Sequence, residues 1–249
     1  MLEVIKRTGV GALLLMILPL ILWASGWQWR PESNYSLLKG LYWLTQTVTP
    51  PWGTITSTLL IGWFLWCLHY PLKLALRLII ILITTILIGQ GIKLFIKEQV
   101  QEPRPFVVWL NRYYDINNQT FYAMPRKARA TIVAKELQQQ KMIPPWLQDH
   151  WRDESGFSFP SGHTIFAGSW ALLAIGLLWP YRYWVSTTGL MLWASGVMVS
   201  RIAIGMHWPR DVVMGIAISW LVITLECWLV QRWIGMPTPI ADKDTANFR

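Results

Sequence analysis

The chain has 249 residues, of which 53% are hydrophobic and 18 are tryptophan, and its mean hydropathy is +0.34. This composition is too apolar for an ordinary soluble domain and long enough for several membrane spans. The net charge of +9 does not indicate nucleic-acid binding, because the basic residues are scattered between apolar runs and form no stripe interleaved with aromatic residues.

Six apolar stretches have the length of a membrane span. They run approximately over Gly9–Trp29, Gly53–Tyr70, Leu74–Ile96, Ser161–Trp179, Trp184–Ser200 and Val212–Val230. The sequence therefore predicts an all-α integral membrane bundle of six transmembrane helices. Lys6 and Arg7 precede the first stretch, which we interpret as an uncleaved helix with a cytoplasmic basic end rather than a signal peptide.

Four regions follow from this layout. Residues 1–97 are predicted to hold helices one to three, and residues 161–236 helices four to six. Between them, residues 98–160 are predicted to form a small, largely helical extracytoplasmic cap with a helix around Lys127–Gln140. Residues 237–249 are predicted to be a disordered tail. Basic residues in the other loops favour the side of the N-terminus, so both termini are expected in the cytoplasm.

Three polar clusters lie where apolar segments begin or end. They are KEQVQEPRP at Lys97–Pro105, PSGH at Pro160–His163 and SRIAIGMHWPRD at Ser200–Asp211. Six helices and a cytoplasmic start place the exits of helices three and five and the entries of helices four and six on one face. The topology therefore predicts that the clusters meet in one pocket beside the bilayer.

Cations at these helix ends are suited to phosphate. Lys97, Arg104 and Arg201 together would hold the oxygens of a phosphoryl group through charge-assisted hydrogen bonds. Each of them alone is more typical of a basic residue that anchors a helix end at the interface. Lys93, one turn before Lys97, keeps that anchor interpretation.

The PSGH cluster opens helix four, where unpaired backbone NH groups and the positive helix end favour an anion. Gly162 permits close approach, and Ser161 can donate its hydroxyl to a phosphate. A plain helix start, with Ser161 as cap and His163 as a polar residue of the first turn, explains the cluster by itself equally well.

His207 and Asp211 are four residues apart across the start of helix six. That spacing can bring the carboxylate to one imidazole nitrogen and leave the other nitrogen free to act as a nucleophile. Two histidines can divide phosphoester cleavage, because one attacks phosphorus while the other donates a proton to the departing alkoxide. Neither this scheme nor any sequence motif requires a metal or cofactor. Cys67 and Cys227 lie in apolar stretches, which indicates neither a disulfide framework nor a metal site.

The three clusters resemble the signature of the type 2 phosphatidic acid phosphatase superfamily. That signature is Lys, six residues, then Arg-Pro; Pro-Ser-Gly-His; and Ser-Arg, five residues, His, three residues, Asp. All of these occur here in order, from Lys97 to Asp211.

The resemblance implies a role for each matching residue. Phosphate would be bound by Lys97, Arg104, Ser161, Gly162 and Arg201. His163 would be the general acid, His207 the nucleophile and Asp211 its orienting partner. It also implies a metal-independent hydrolase acting on phosphatidylglycerophosphate, phosphatidic acid, diacylglycerol pyrophosphate and undecaprenyl pyrophosphate.

The expected partners are lipid phosphates and the bilayer, with no nucleic acid and no obligate protein partner. The expected location is the bacterial inner membrane, with the active site on the periplasmic side. A membrane phosphotransferase and a small transporter remain alternatives. Asp153 and Glu154 are interpreted as solvated loop acids outside the catalytic set, and Glu226 as a solvated or locally paired group near the cytoplasmic end.

Overall fold

The computed structural model describes residues 1–31, 35–114, 117–138, 140 and 142–235. Within these ranges every regular element is helical. The α-helices are α1 Leu2–Ala24, α2 Tyr35–Gln46, α3 Trp52–Leu68, α4 Leu72–Val100, α5 Pro105–Tyr114, α6 Asn118–Ala123, α7 Arg126–Leu137, α8 Pro145–Asp153, α9 Gly162–Leu173, α10 Trp184–Ala203 and α11 Pro209–Trp233. The predicted disordered tail, residues 237–249, lies outside the described residues.

Four helical segments of the described chain are long and apolar enough to cross a membrane: Leu2–Ala24, Leu72–Tyr114, Gly162–Tyr181 and Pro209–Trp233. They overlap the first, third, fourth and sixth predicted spans, and the first helix ends at Ala24, five residues before the predicted end at Trp29. The second predicted span corresponds to α3, which is apolar but only 17 residues long. The fifth corresponds to α10, whose hydroxyl residues and tryptophans make it less apolar. The all-helical class is confirmed, and the count of six spans stays a prediction.

Helix α9 is the centre of the bundle. Every side chain from Thr164 to Leu173 is buried, because α1, α4, α10 and α11 all pack around it. The chain continues as a π-helical segment, Ala174–Leu178, and a short turn, Trp179–Tyr181. A helix that is apolar on all sides is typical of a protein core or of a membrane span, and the composition of α9 fits its central position.

Helix α2 was not predicted from the sequence. It packs on α10, where Leu38 and Thr45 are buried. The helix has 12 residues and is too short to span a bilayer. Its sequence therefore lacks the long apolar run that identifies a membrane span. Thr45, near the C-terminal end of α2, and the turn that follows this helix lie at the polar end of the bundle.

Helices α5 to α8 occupy the segment that was predicted to form a cap. Helix α7 starts after Pro125, as predicted, and ends at Leu137, three residues before the predicted end. The segment has its own apolar core, in which the Trp151 ring stacks on Phe106 with centroids 4.9 Å apart. Trp151 Nε1 also donates to the Ile204 carbonyl over 2.9 Å. This bond fixes α8, and hence the residues that follow it, against the turn between α10 and α11.

Candidate active site

The site lies where the end of α4 meets the start of α9, the end of α10 and the start of α11. A cavity of about 660 Å³ opens there. Five of the predicted site residues line it: Lys97, Arg104, Gly162, His163 and His207. The other three, Ser161, Arg201 and Asp211, are fully buried behind its wall. The prediction that the three clusters meet at one end of the bundle is therefore confirmed.

His207 is positioned by the turn between α10 and α11. Gly205 adopts a φ of +74°, and an added Cβ there would lie 2.7 Å from the Trp29 ring, so glycine is required for both reasons. The backbone NH of His207 then donates to the Arg201 carbonyl over 3.0 Å. Pro209 starts α11 in the first helical position.

Asp211 both caps α11 and orients His207. Its Oδ2 accepts a hydrogen bond from the Trp208 backbone NH over 2.9 Å and lies 3.3 Å from His207 Nδ1. A buried carboxylate at this nitrogen favours the tautomer with the proton on Nδ1. His207 Nε2 is then left with a lone pair that faces Arg104.

Arg104 holds the other side of the His207 ring. Its Nε donates to the Gly156 carbonyl over 2.7 Å and its Nη1 to the Met206 carbonyl over 2.9 Å. Nη1 also lies 3.4 Å from His207 Nε2. The guanidinium is therefore fixed by backbone on two sides, next to the nitrogen that would attack phosphorus.

Ser161 is the N-cap of α9. Its Oγ accepts hydrogen bonds from the Thr164 backbone NH over 3.3 Å and from Thr164 Oγ1 over 2.9 Å. Its backbone NH donates to the Asp211 carbonyl over 3.2 Å, which ties the starts of α9 and α11 together. Capping accounts for the hydroxyl in this structure, and a direct bond from Ser161 to phosphate stays a prediction.

The close crossing of α9 and α11 depends on Gly215. A Cβ at this position would lie 2.9 Å from Thr164 Cγ2 and 3.1 Å from the Ser161 carbonyl oxygen. Backbone cannot move aside as a flexible side chain can, so a larger residue would separate the two helix starts. That separation would pull His163 away from His207.

His163 faces the cavity from the first turn of α9. Its Nε2 lies 3.0 Å from Thr49 Oγ1 and 3.7 Å from Glu154 Oε1. Thr49 belongs to the turn between α2 and α3, which the sequence did not connect to the site. A carboxylate and a hydroxyl at one ring nitrogen can hold a proton there, as a general acid requires.

The interpretation of Glu154 as a solvated loop acid was wrong. Its side chain is only 19% exposed, and its Oε2 lies 2.6 Å from Arg201 Nη2 and 3.8 Å from Arg104 Nη2. It follows α8 directly, so the packing of Trp151 places it in the cavity wall. The neighbouring Asp153 is 68% exposed, as expected for a solvated acid. No spacing in the sequence distinguishes the two.

Arg201 is fully buried and is held by three side chains, one from α2 and two from α8 and the residue that follows it. Its Nη2 donates to Glu154, and its Nη1 lies 3.0 Å from His150 Nε2 and 3.3 Å from Thr45 Oγ1. His150 and Thr45 were both missed by the sequence analysis. The alternative interpretation of Arg201 alone as an interfacial anchor does not fit this burial, and its predicted binding of phosphate stays a prediction.

Two further interpretations are corrected. Lys93 is not the interfacial anchor that the sequence predicts, because it lines the cavity and packs closely on Gly162, where an added Cβ would lie 2.5 Å from Lys93 Cδ. Glu226 is 2% exposed and lies beside Thr85 of α4, so the solvated alternative is wrong. In both cases the helix face that the residue occupies is set by packing that hydropathy does not reveal.

Charges around the cavity decide which groups ionise. Burial, followed by Arg104 and Arg201, holds the pKa of His207 well below its usual range, which keeps the ring neutral. Burial opposes ionisation of Glu154, but Arg201 and His163 outweigh it and hold its pKa well below the usual range. Burial lowers the pKa of His150 to about 4. The site therefore combines a neutral imidazole, that of His207, with an ionised carboxylate, that of Glu154.

Lys97 completes the cationic wall. Its Nζ donates to the Phe157 carbonyl and lines the cavity together with Arg104. Arg104 and Lys97, two basic side chains beside a neutral imidazole, can bind the oxygens of a phosphoryl group. The cavity thus has groups suited to a phosphoryl group.

Comparisons with known proteins agree with this geometry. Residues 75–234 match the family model described as the PAP2 superfamily. Phosphatidylglycerophosphatase B of Escherichia coli (strain K12) is 50% identical over 242 residues, which are 97% of this chain and 95% of that protein. Phosphatidylglycerophosphatase B of Haemophilus influenzae is 32% identical over 225 residues, which are 87% of this chain and 92% of that protein. The chain therefore belongs to the PAP2 superfamily.

Proposed function

We propose that this protein is an integral membrane lipid phosphatase that hydrolyses phosphatidylglycerophosphate to phosphatidylglycerol and phosphate. The observation that carries the proposal is that His163 and His207 line one cavity together with Lys97 and Arg104. The relatives that match almost the whole chain are named as phosphatidylglycerophosphatases. Membership of the PAP2 superfamily supports phosphatase chemistry. Phosphatidylglycerophosphate is proposed as the substrate because these relatives are named for it.

The shape of the cavity supports a lipid substrate. Away from the cationic end, its walls are apolar side chains of α3, α4 and α9: Ile61, Ile83, Ile86, Leu87, Phe166 and Trp170. Ile83 and Leu87 are also 46% and 64% exposed on the outer face of α4. An acyl chain can therefore lie against α4 while its phosphate reaches the histidines, since apolar surface removed from water stabilises the complex.

The proposed reaction has two steps. In the first, His207 Nε2 attacks phosphorus, the bond from phosphorus to the lipid oxygen breaks, and protonated His163 donates its proton to that oxygen. In the second, His163 takes a proton from water, whose oxygen attacks the phosphohistidine and releases phosphate. Asp211 stabilises the positive charge that His207 acquires, and Arg104 and Lys97 stabilise the phosphoryl oxygens.

Phosphatidic acid, diacylglycerol pyrophosphate and undecaprenyl pyrophosphate are proposed as further substrates. All of them present a terminal phosphoryl group on a lipid, which is what the cationic end of the cavity would recognise. Hydrolysis of undecaprenyl pyrophosphate would connect the protein to peptidoglycan synthesis. The chemistry is proposed to be independent of metal ions, because fixed cations fill the role that a metal would have.

The proposed topology has six spans in the bacterial inner membrane. Both termini would be cytoplasmic, and α5 to α8 would form a periplasmic cap over the site. Support comes from the position of Lys6 and Arg7 at the end of the bundle opposite the cavity. Cysteine labelling from the outside, at a single site introduced in α7 and at another in the α1 N-terminus, would test this orientation.

The function is tested by phosphate release. Purified protein in detergent is offered phosphatidylglycerophosphate, phosphatidic acid and undecaprenyl pyrophosphate without any acceptor other than water. We expect release from the wild type and a loss of at least a thousandfold for His207→Ala. Release only when an alcohol acceptor is added would indicate a phosphotransferase, and no release from any lipid would favour a transporter.

A further inference from the structure

A second cavity lies at the end of the bundle opposite the catalytic site. It has a volume of about 460 Å³, within the range of ligand sites. Its walls come from α1, from the π-helical segment with the turn that follows it, and from α10. The residues that line it are Lys6, Arg7, Val10, Gly11, Leu14, Ile175, Trp179, Thr187, Thr188, Met191 and Leu192.

The composition of this groove changes along its length. Lys6 and Arg7 stand at the end of the groove nearest the N-terminus of α1, with exposed Thr188 on the facing helix. Further along, Leu14 and Leu192 are 55% and 69% exposed, which leaves the apolar part open on the side that faces the hydrocarbon. The groove therefore has the polarity of a phospholipid, with a cationic end and an apolar length.

Charge balance in the groove favours an anion. None of the described residues that line it is acidic. The nearby Glu3 lies 3.4 Å from Lys6 Nζ, but the two side chains are 75% and 61% exposed, and an ion pair of this kind is weak. Arg7 donates its Nε to the Glu3 carbonyl over 3.3 Å and interacts electrostatically with the Tyr181 hydroxyl, which is not a carboxylate. The two cations are therefore placed to meet an anionic group outside the chain.

We infer that this groove binds one anionic glycerophospholipid of the leaflet opposite the catalytic cavity. Basic groups between membrane helices are a recognised arrangement for anionic headgroups. The phosphate would lie between Lys6, Arg7 and Thr188, and one acyl chain would lie along α1 beside Leu14. The inference is independent of the proposed reaction and requires only that the bundle lies in a membrane.

The test is native mass spectrometry of the detergent-purified full chain with phosphatidylglycerol and phosphatidylcholine of the same acyl composition. The wild type should retain phosphatidylglycerol in preference to phosphatidylcholine. The double variant Lys6→Gln, Arg7→Gln should bind phosphatidylglycerol roughly thirtyfold more weakly, because each juxtamembrane cation contributes about fivefold. Glycerol 3-phosphate should not compete, since it lacks the acyl chains.

Two further variants separate the groove from general surface charge. Lys73→Gln with Arg77→Gln removes two exposed cations of α4 and should leave retention unchanged. Leu192→Trp keeps every charge but fills the apolar part, and it should weaken retention about tenfold. Equal loss in both charge-removing double variants, equal retention of the two lipids, or unchanged retention in Leu192→Trp would each overturn the inference. Monodisperse elution and unaltered phosphate release serve as checks on folding.

Discussion

The Glu154 carboxylate lies 2.6 Å from Arg201 Nη2 inside the wall of the catalytic cavity. This pair joins two parts of the chain that hydropathy assigns to different environments, a loop and a membrane helix. Glu154 also connects the two histidines of the catalytic cavity through Arg104. Its carboxylate is 3.7 Å from His163 and 3.8 Å from Arg104, and Arg104 lies beside His207. Glu154 is thus an internal anion within reach of the cations that are proposed to bind phosphate.

Replacing Glu154 by glutamine tests two effects of its carboxylate: stabilisation of buried Arg201 and repulsion of a bound anion. Arg201 would lose its only charged partner among the described residues, so we expect a loss of about 3 kcal/mol in stability, visible as a lower melting temperature. The phosphate analogue orthovanadate would no longer meet a carboxylate and should inhibit about tenfold more strongly. Asp153→Asn, at the exposed neighbour, should change neither value. Weaker inhibition in Glu154→Gln would contradict this account.

Asp211→Asn tests orientation without removing the helix cap. The amide oxygen can still accept the Trp208 backbone NH, so the melting temperature should change little. The negative charge beside His207 Nδ1 is lost, so phosphate release should fall by about a hundredfold or more. Asp149→Asn, which changes an exposed carboxylate of α8, is the matched control. Wild-type rates in Asp211→Asn would show that the carboxylate does not assist His207.

Buried His150 predicts a pH dependence of stability. Its pKa is about 4 in the folded protein, against 6.5 for an unperturbed histidine. Between these values the unfolded chain binds a proton that the folded protein excludes, so stability falls as the pH is lowered from 7 to 4. The contribution is about 3 kcal/mol.

His150→Gln should remove part of that pH dependence, because glutamine can accept from Arg201 but does not titrate. Melting temperatures in detergent at pH 7 and pH 4.5 would be compared for both proteins. The variant should lose less stability on acidification than the wild type. An identical loss in the two proteins would mean that His150 is not kept neutral by the fold.

Removal of metal ions tests the proposal that Lys97 and Arg104, and not a metal, stabilise charge on the phosphoryl oxygens. Incubation with EDTA followed by desalting should leave phosphate release within about twofold of the untreated rate, because Lys97 and Arg104 supply the positive charge at the phosphoryl oxygens. Arg104→Gln, treated in the same way, should be slow both before and after chelation. A strict requirement for an added divalent cation would refute metal independence.

Much of the site was predictable because its residues lie at fixed spacings. His207 and Asp211 are separated by one helical turn that Pro209 helps to start, so their contact follows from local geometry. Their convergence with His163 and Lys97 follows if successive membrane helices end alternately on the two sides of the membrane. Neither argument needs knowledge of how the helices pack.

What the sequence did not reveal depends on long-range packing. Glu154 reaches the cavity because Trp151 stacks on Phe106 and bonds to Ile204. Thr49 reaches His163 because α2, a helix too short to register as a span, packs on α10. Contacts of this kind join residues between 45 and 114 positions apart, and no local periodicity or spacing encodes them.

The most direct test of the central claim is to locate phosphorus on the enzyme during turnover. Wild-type protein is mixed with phosphatidylglycerophosphate, quenched in base during turnover to preserve phosphohistidine, digested and sequenced by mass spectrometry. The account predicts a single phosphorylated residue, His207, and no phosphorylated residue in the His207→Ala variant. Phosphate on a different residue, or full turnover by His207→Ala with no phosphoenzyme, would contradict it.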